Sequence, residues 1–232
     1  KSLIGKTSFA MGNQDWRHYL NGLYLFVEDT VITSVATDAH RLAMATLPLN
    51  EGVQEQITGI VPRKSINEIG KLVGDSSENV VLKLGPSSII VDISGTTFAS
   101  KLIEGKFPDY EQVIPSGDSS TLSINRKLFS ESLSRVSVLS SEKFRGVRII
   151  TSDNSINVSA NNPEKEQAEE SIECSYSGEA TDIAFNVNYI QEILSSIDDD
   201  SVEIHFFGSN KSCLITSPGS ESFKYVVMPL LI

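Results

Sequence analysis

The sequence predicts an α+β protein built from two copies of one module with antiparallel sheet. An internal match at constant spacing comes first. Asn21-Gly22 ahead of the apolar run Leu23 to Val27 corresponds to Arg145-Gly146 ahead of Val147-Arg148-Ile149-Ile150, an offset of 124 residues. The same offset carries Ala36-Thr37-Asp38 onto Ala160-Asn161-Asn162, and Ile66, Glu68 and Ile69 onto Ile190, Glu192 and Ile193. Self-similarity at one spacing marks a duplicated structural unit. Within each copy, helical apolar spacing alternates with short strand-like runs bounded by turn residues, the pattern of mixed helix and antiparallel sheet.

Each copy reads as a helix, a two-stranded hairpin, a polar stretch, a second helix and two or three further strands. Glu28-Asp29 and Asp153-Asn154 supply the polar turn residues of the two hairpins. In the first copy Pro62 starts the second helix, whose Ile66, Ile69 and Val73 share a face, and Gly74-Asp75-Ser76-Ser77 closes it. The polar segment Pro115-Ser116-Gly117-Asp118-Ser119-Ser120 separates the copies and divides the chain into 1–117 and 118–232. The second copy opens with the strand Thr121 to Ile124 and a helix carrying Leu128, Phe129, Leu133 and Val136. Its second helix carries Ile190, Ile193, Leu194 and Ile197, with Asn188 as the expected N-cap and Asp198-Asp199-Asp200 as its close. The offset places the first strand of the first copy ahead of Lys1, so the chain is expected to begin inside a domain, as a truncated or partly processed product.

With 232 residues, 40% of them hydrophobic and 21% charged, the chain has the composition of two ordinary globular domains. Its longest apolar runs, Leu23 to Val27 and Tyr225 to Ile232, are far shorter than the roughly 20 residues of a membrane span, and no secretory leader pattern is visible. Cys174 and Cys213 offer neither a disulfide framework nor metal-ligand spacing, which points to core filling in a reducing cytoplasmic compartment. A net charge of −11 opposes bulk attraction to nucleic acid, so any such contact requires basic residues gathered on one surface. Asp38 and His40 beside Arg41 raise an acid-base or metal site. Only three histidines occur, His18, His40 and His205, and there is no HExxH, Gly-rich phosphate loop or GxSxG turn. A non-enzyme without metal or cofactor is therefore expected.

Five segments, in order, carry a resemblance. They are Gln14-Asp15-Trp16-Arg17-His18-Tyr19-Leu20-Asn21-Gly22, Thr37-Asp38-Ala39-His40-Arg41-Leu42-Ala43, and Ser100-Lys101-Leu102 with Phe107-Pro108-Asp109-Tyr110. Glu142-Lys143-Phe144-Arg145-Gly146-Val147-Arg148 with Ala160-Asn161-Asn162-Pro163-Glu164, and Tyr225-Val226-Val227-Met228-Pro229, complete the set. Together they resemble the bacterial DNA polymerase III beta subunit, the beta sliding clamp family. The resemblance implies the DNA clamp fold: repeated domains with antiparallel sheets outside and paired helices on the inner face, closed into a homodimer ring when full length. This chain would hold the second and third domains, with the N-terminal domain absent. It implies partners too: double-stranded DNA bound without sequence preference, the DNA polymerase III alpha subunit, the clamp loader, repair polymerases and mismatch-repair proteins.

Three sites follow from the resemblance. Gln14, Arg17, His18 and Tyr19 match positions near DNA, supported by helix cations at Lys1, Lys6, Arg63, Lys64, Lys71, Arg126, Lys127 and Arg135. A pocket for short partner peptides would draw Leu20, Thr37, His40, Arg41, Leu42, Pro108 and Val113 from one side. Ser212, Val226, Val227, Met228, Pro229 and Leu230 come from the C-terminal end, where Met adapts to several ligands and the apolar tail Leu230-Leu231-Ile232 would otherwise be exposed. Val138, Leu139, Glu166, Glu169 and Glu170 match the ring interface. Three positions depart from the family pattern: Ala39 for Gly, and Gln112 and Leu231 for basic residues. Without the N-terminal domain the chain is expected not to close a ring or stay on circular DNA. The competing binding-module reading is a peptide adaptor that does not encircle DNA.

Overall fold

Two compact units, Lys1–Glu111 and Gln112–Ile232, make up the chain. The computed structural model describes residues 1–74 and 79–231. Asp75, Ser76 and Ser77 of the expected helix close, and Ile232 of the apolar tail, lie outside the described residues. The polar segment at 115–120 lies near the start of the second unit.

The first unit begins with α1 (Ser2–Thr7), followed by β1 (Gly22–Glu28), β2 (Val31–Thr37), β3 (Arg41–Pro48) and β4 (Ile57–Pro62). These strands form an antiparallel sheet in the order β3-β2-β1-β4. Leu23, Leu25 and Val27 alternate into the core from β1, and Asp29, with φ 49°, turns the chain into β2. Gly22 is required by packing: a Cβ there would stand 2.6 Å from the Val61 carbonyl oxygen. α1 is pinned through buried Thr7, whose hydroxyl donates to the Leu3 carbonyl at 2.6 Å and lies 3.1 Å from the Ser34 hydroxyl on β2. α2 (Arg63–Val73) follows Pro62 as expected and buries Ile66, Ile69 and Val73. A second sheet, β5-β6-β7, is formed by Val81–Leu84, Ser88–Ile93 and Thr96–Lys101. Among the described residues of this unit no strand lies on the outer side of β5, where Val81 is 52% exposed.

The second unit opens with β8 (Ser120–Asn125) and α3 (Arg126–Ser137), then β9 (Gly146–Ser152), β10 (Ser155–Asn161), β11 (Gln167–Glu173), β12 (Ser175–Ser177) and β13 (Asp182–Asn186). α4 (Val187–Ser196), β14 (Ser201–Phe206), β15 (Cys213–Ser217) and β16 (Ser220–Val227) complete it. One sheet runs β11-β10-β9-β13, the order of β3-β2-β1-β4 in the first unit. The other runs β12-β8-β14-β15-β16, so β14-β15-β16 answers β5-β6-β7 and β8 fills the place beside β14. The strands β1 and β9 begin at Gly22 and Gly146, and α2 and α4 at Arg63 and Val187, each at the offset of 124 read from the sequence.

One local expectation is corrected. The N-cap of α4 is Asn186 and not Asn188: its side-chain oxygen accepts from the Asn188 N–H at 3.0 Å. Leu128 is exposed on α3, whereas Phe129, Ser132, Leu133 and Val136 are buried. Cys213 opens β15 in the core, whereas Cys174 sits half-buried between β11 and β12. No helix among the described residues is long and apolar enough to cross a membrane.

Candidate peptide-binding and nucleic-acid surfaces

In the first unit, the turn between β2 and β3 carries much of the expected peptide site. The Thr37 hydroxyl donates to the Arg41 carbonyl at 2.6 Å and accepts from the Ala39 N–H at 3.1 Å. Asp38 Oδ1 accepts from the N–H groups of His40 and Arg41, at 3.0 and 3.1 Å, while Oδ2 accepts from Arg41 Nε at 3.1 Å. Such short-range bonds build a turn. Arg41 Nη2 donates onward to the Phe9 carbonyl at 2.9 Å, with the guanidinium 5.4 Å from the Phe9 ring centroid. Arg41 is therefore buried, His40 is exposed, and Ala39 holds φ 74°. Leu20 and Leu42 are buried core residues. Pro108 is exposed beside Phe107, whose ring stacks on Tyr24 with centroids 4.7 Å apart.

In the second unit the expected residues divide by exposure. Val226 and Val227 are fully buried in β16. Val113, Ser212, Pro229 and Leu230 are half-buried, Met228 is exposed, and Leu231 is 92% exposed. The Leu230 N–H donates to the Ala184 carbonyl at 2.8 Å, which lays the tail against β13. Gly146 makes room for it, since a Cβ there would lie 3.3 Å from Leu230 Cδ1. The tail borders a groove of about 590 Å³ over β9, β10 and β11, lined by Phe144, Ile150, Asn157, Ser159 and Leu231 among others. Phe144 belongs to the segment Glu142 to Arg148, and no sequence pattern assigns it to a site. The polar face of β9 and β10, alternating with buried Val147, Ile149, Ile156 and Val158, was the signal available for the rest.

The expected nucleic-acid loop precedes Leu20. Asp15 Oδ1 accepts from the Arg17 N–H at 2.8 Å and from Nε at 3.0 Å, and Oδ2 accepts from Nη2 at 2.8 Å. The Asp15 N–H donates to Asn21 Oδ1 at 2.9 Å, and Asn21 Nδ2 donates to the Asp15 carbonyl at 2.8 Å. The Arg17 hydrogen bonds hold the Asp15 carboxyl down at about 2. Gln14 is exposed at φ 56°, His18 is exposed and Tyr19 is half-buried. Asp15 and Asn21, to which the sequence reading gave no role, thus shape the loop. Several helix cations are committed locally. Arg63 Nη2 donates to the Met11 carbonyl at 2.9 Å, Arg126 Nε to the Asp199 carbonyl at 2.7 Å, and Lys71 Nζ to Glu68 Oε1 at 2.9 Å. Lys64 and Lys127 are exposed.

Of the residues expected at a ring interface, Val138 is 77% exposed and Leu139 half-buried just after α3. Glu166 and Glu169 are exposed and accept from Asn162 and Asn157. Glu170 is paired with Arg135 of α3 through two hydrogen bonds that hold its carboxyl below the usual range. Among the described residues no cluster of three or more His, Cys, Asp or Glu side chains is placed to hold a metal.

Comparison with known proteins accounts for both units. Residues 1–109 match the family model of the DNA polymerase III beta subunit central domain, and residues 111–231 match that of its C-terminal domain. The beta sliding clamp of Vibrio cholerae is 42% identical over 231 residues, 99% of this chain and 63% of the relative's length. A crystal structure of the DNA polymerase III subunit beta from Pseudomonas aeruginosa superimposes with a TM-score of 0.97 at 41% identity, covering 100% of this chain and 63% of that one. A Pseudomonas aeruginosa sliding clamp bound to griselimycin superimposes with a TM-score of 0.96 at the same identity. The chain spans somewhat under two thirds of the length of the curated relatives it matches. Two duplicated units with one sheet order, each matching its own domain model in sequence, place the chain in the DNA polymerase III beta subunit family.

Proposed function

We propose that this chain forms the central and C-terminal domains of a DNA sliding clamp, a non-catalytic processivity factor of the cytoplasm. The full-length protein closes as a homodimer ring around duplex DNA and tethers the polymerase. The observation that carries this reading is the match of two successive clamp domains, in order, across nearly the whole chain. The N-terminal clamp domain would precede residue 1, with the domain boundary near 117. The alpha subunit of DNA polymerase III, the clamp loader, repair polymerases and mismatch-repair proteins are the proposed partners. They would bind through short peptides recognised by Leu20, Thr37, His40, Arg41, Leu42 and Pro108 in the first unit and by Val113, Ser212 and Val226 to Leu230 in the second. Exposed Met228 and Leu231 support an apolar contact there, whereas Val226 and Val227 would act by supporting the strand. Gln14, Arg17, His18 and Tyr19 are proposed to contact DNA, and Val138, Leu139, Glu166, Glu169 and Glu170 to border the other subunit. Glu170 would do so as the partner of Arg135.

Fluorescence polarisation with a labelled clamp-binding peptide tests the central claim. The chain should bind it, deletion of Met228 to Ile232 should abolish binding, and Arg17→Ala should leave it unchanged. Peptide binding that survives the deletion would refute the assignment. Stable retention of this chain on circular DNA would refute the need for a further domain to close the ring.

A further inference from the structure

We propose that Trp16 is a stacking platform for an unpaired nucleobase, so that the loop before Leu20 holds single-stranded DNA beside the duplex contact. This rests on the reading of the chain as part of a DNA clamp. Trp16 is the sole tryptophan and is 81% exposed, more than every other large apolar residue among the described residues except Leu231. An indole left in water is a contact awaiting a flat partner, because it offers a large rigid π-face at little cost in side-chain entropy.

The loop that carries it is already ordered. Asp15 is bonded three times to Arg17 and twice to Asn21, so presenting Trp16 requires little ordering on binding. Arg17 lies with its guanidinium 5.7 Å from the Trp16 ring centroid. Two of its five N–H donors go to Asp15, and the rest remain for a phosphate or base edge. The Asp15 carboxylate offsets the Arg17 charge, so this loop is poorly equipped to act by charge alone and better equipped to act by stacking. Every base has a π-face, and stacking on an aromatic is tolerant of sequence, as a clamp requires. In a duplex those faces are covered by neighbouring pairs and reaching them costs unstacking. A single strand offers them freely. An apolar peptide is the weaker candidate, since peptides and small ligands favour recesses and Trp16 stands 81% exposed.

With one tryptophan in the chain, its emission reports on this residue alone. The 232-residue chain is titrated with an oligothymidylate, a blunt duplex and an apolar clamp-binding peptide, while anisotropy of a labelled oligothymidylate follows binding independently. The expected result is quenching of Trp16 by oligothymidylate alone. Trp16→Ala should weaken oligothymidylate binding about 5- to 100-fold, with Trp16→Phe retaining most of it. Unchanged circular dichroism and thermal unfolding would confirm that both variants fold. Oligothymidylate binding without quenching, or with Trp16→Ala unaffected, overturns the proposal and leaves the clamp reading in place. Equal quenching by duplex overturns the unpaired base, and quenching by the peptide makes the loop a protein contact. No binding of either DNA counts against both this proposal and the assignment of DNA contacts.

Discussion

Ala39 holds φ 74° at the tip of the turn between β2 and β3, in the region where a Cβ costs an L-residue about 1–2 kcal/mol. Ala39→Gly should remove that cost at the expense of some unfolded-chain entropy. A net gain of about 0.5–1 kcal/mol in denaturant unfolding is expected, and a loss would show that the turn relieves the strain elsewhere. The residue types of this turn were plain in the sequence, and their spacing left an acid-base site open. The two carboxylate oxygens of Asp38 instead accept from two backbone N–H groups and from the Arg41 guanidinium, bonds that exist only once the turn's dihedrals are in place. Trp16 was likewise visible as a letter, but whether an indole is covered depends on the fold around it.

The helices differ in how their first turns are closed. α3 and α4 are capped by the side chains of Asn125 and Asn186, whereas α2 starts from Pro62 without a side-chain cap. Asn186→Ala should cost about 1 kcal/mol of stability, read as a lowered unfolding midpoint, and an effect within error would mean that packing of Val187 alone sets the start of α4. The sequence pattern placed this cap two residues late because its first recognised apolar residue was Ile190, while Val187 at the helix start is itself buried. Strand β16 shows the complementary limit. Alternation leads one to expect every second residue of Tyr225 to Met228 to face a ligand, yet Tyr225, Val226 and Val227 are all buried, so the accessible apolar surface begins only at Met228.

The duplication was the most legible feature of the molecule, because strands and helices recur at one offset and local pattern survives in both copies. Sheet order was not legible, since β14 beside β8 and β9 beside β13 are pairings between distant segments. Global unfolding has a built-in reporter in Cys213. It is fully buried, and burial pushes its thiol up to about 12. The resulting stabilisation is complete below the ordinary thiol pKa and shrinks as pH climbs from there toward about 12. A thiol reagent near neutral pH should label half-buried Cys174 in the native protein and Cys213 only on unfolding of the second unit. Rapid native labelling of Cys213 would indicate local opening of β15. The flank of β5 away from β6, which no strand among the described residues of its unit covers, has a practical consequence for anyone handling the protein. An open strand edge beside exposed Val81 is a template on which further chains pair edge to edge. Concentrated samples should therefore grow turbid with time, Val81→Lys should keep them clear, and light scattering equal for the two would show that the flank is harmless in storage.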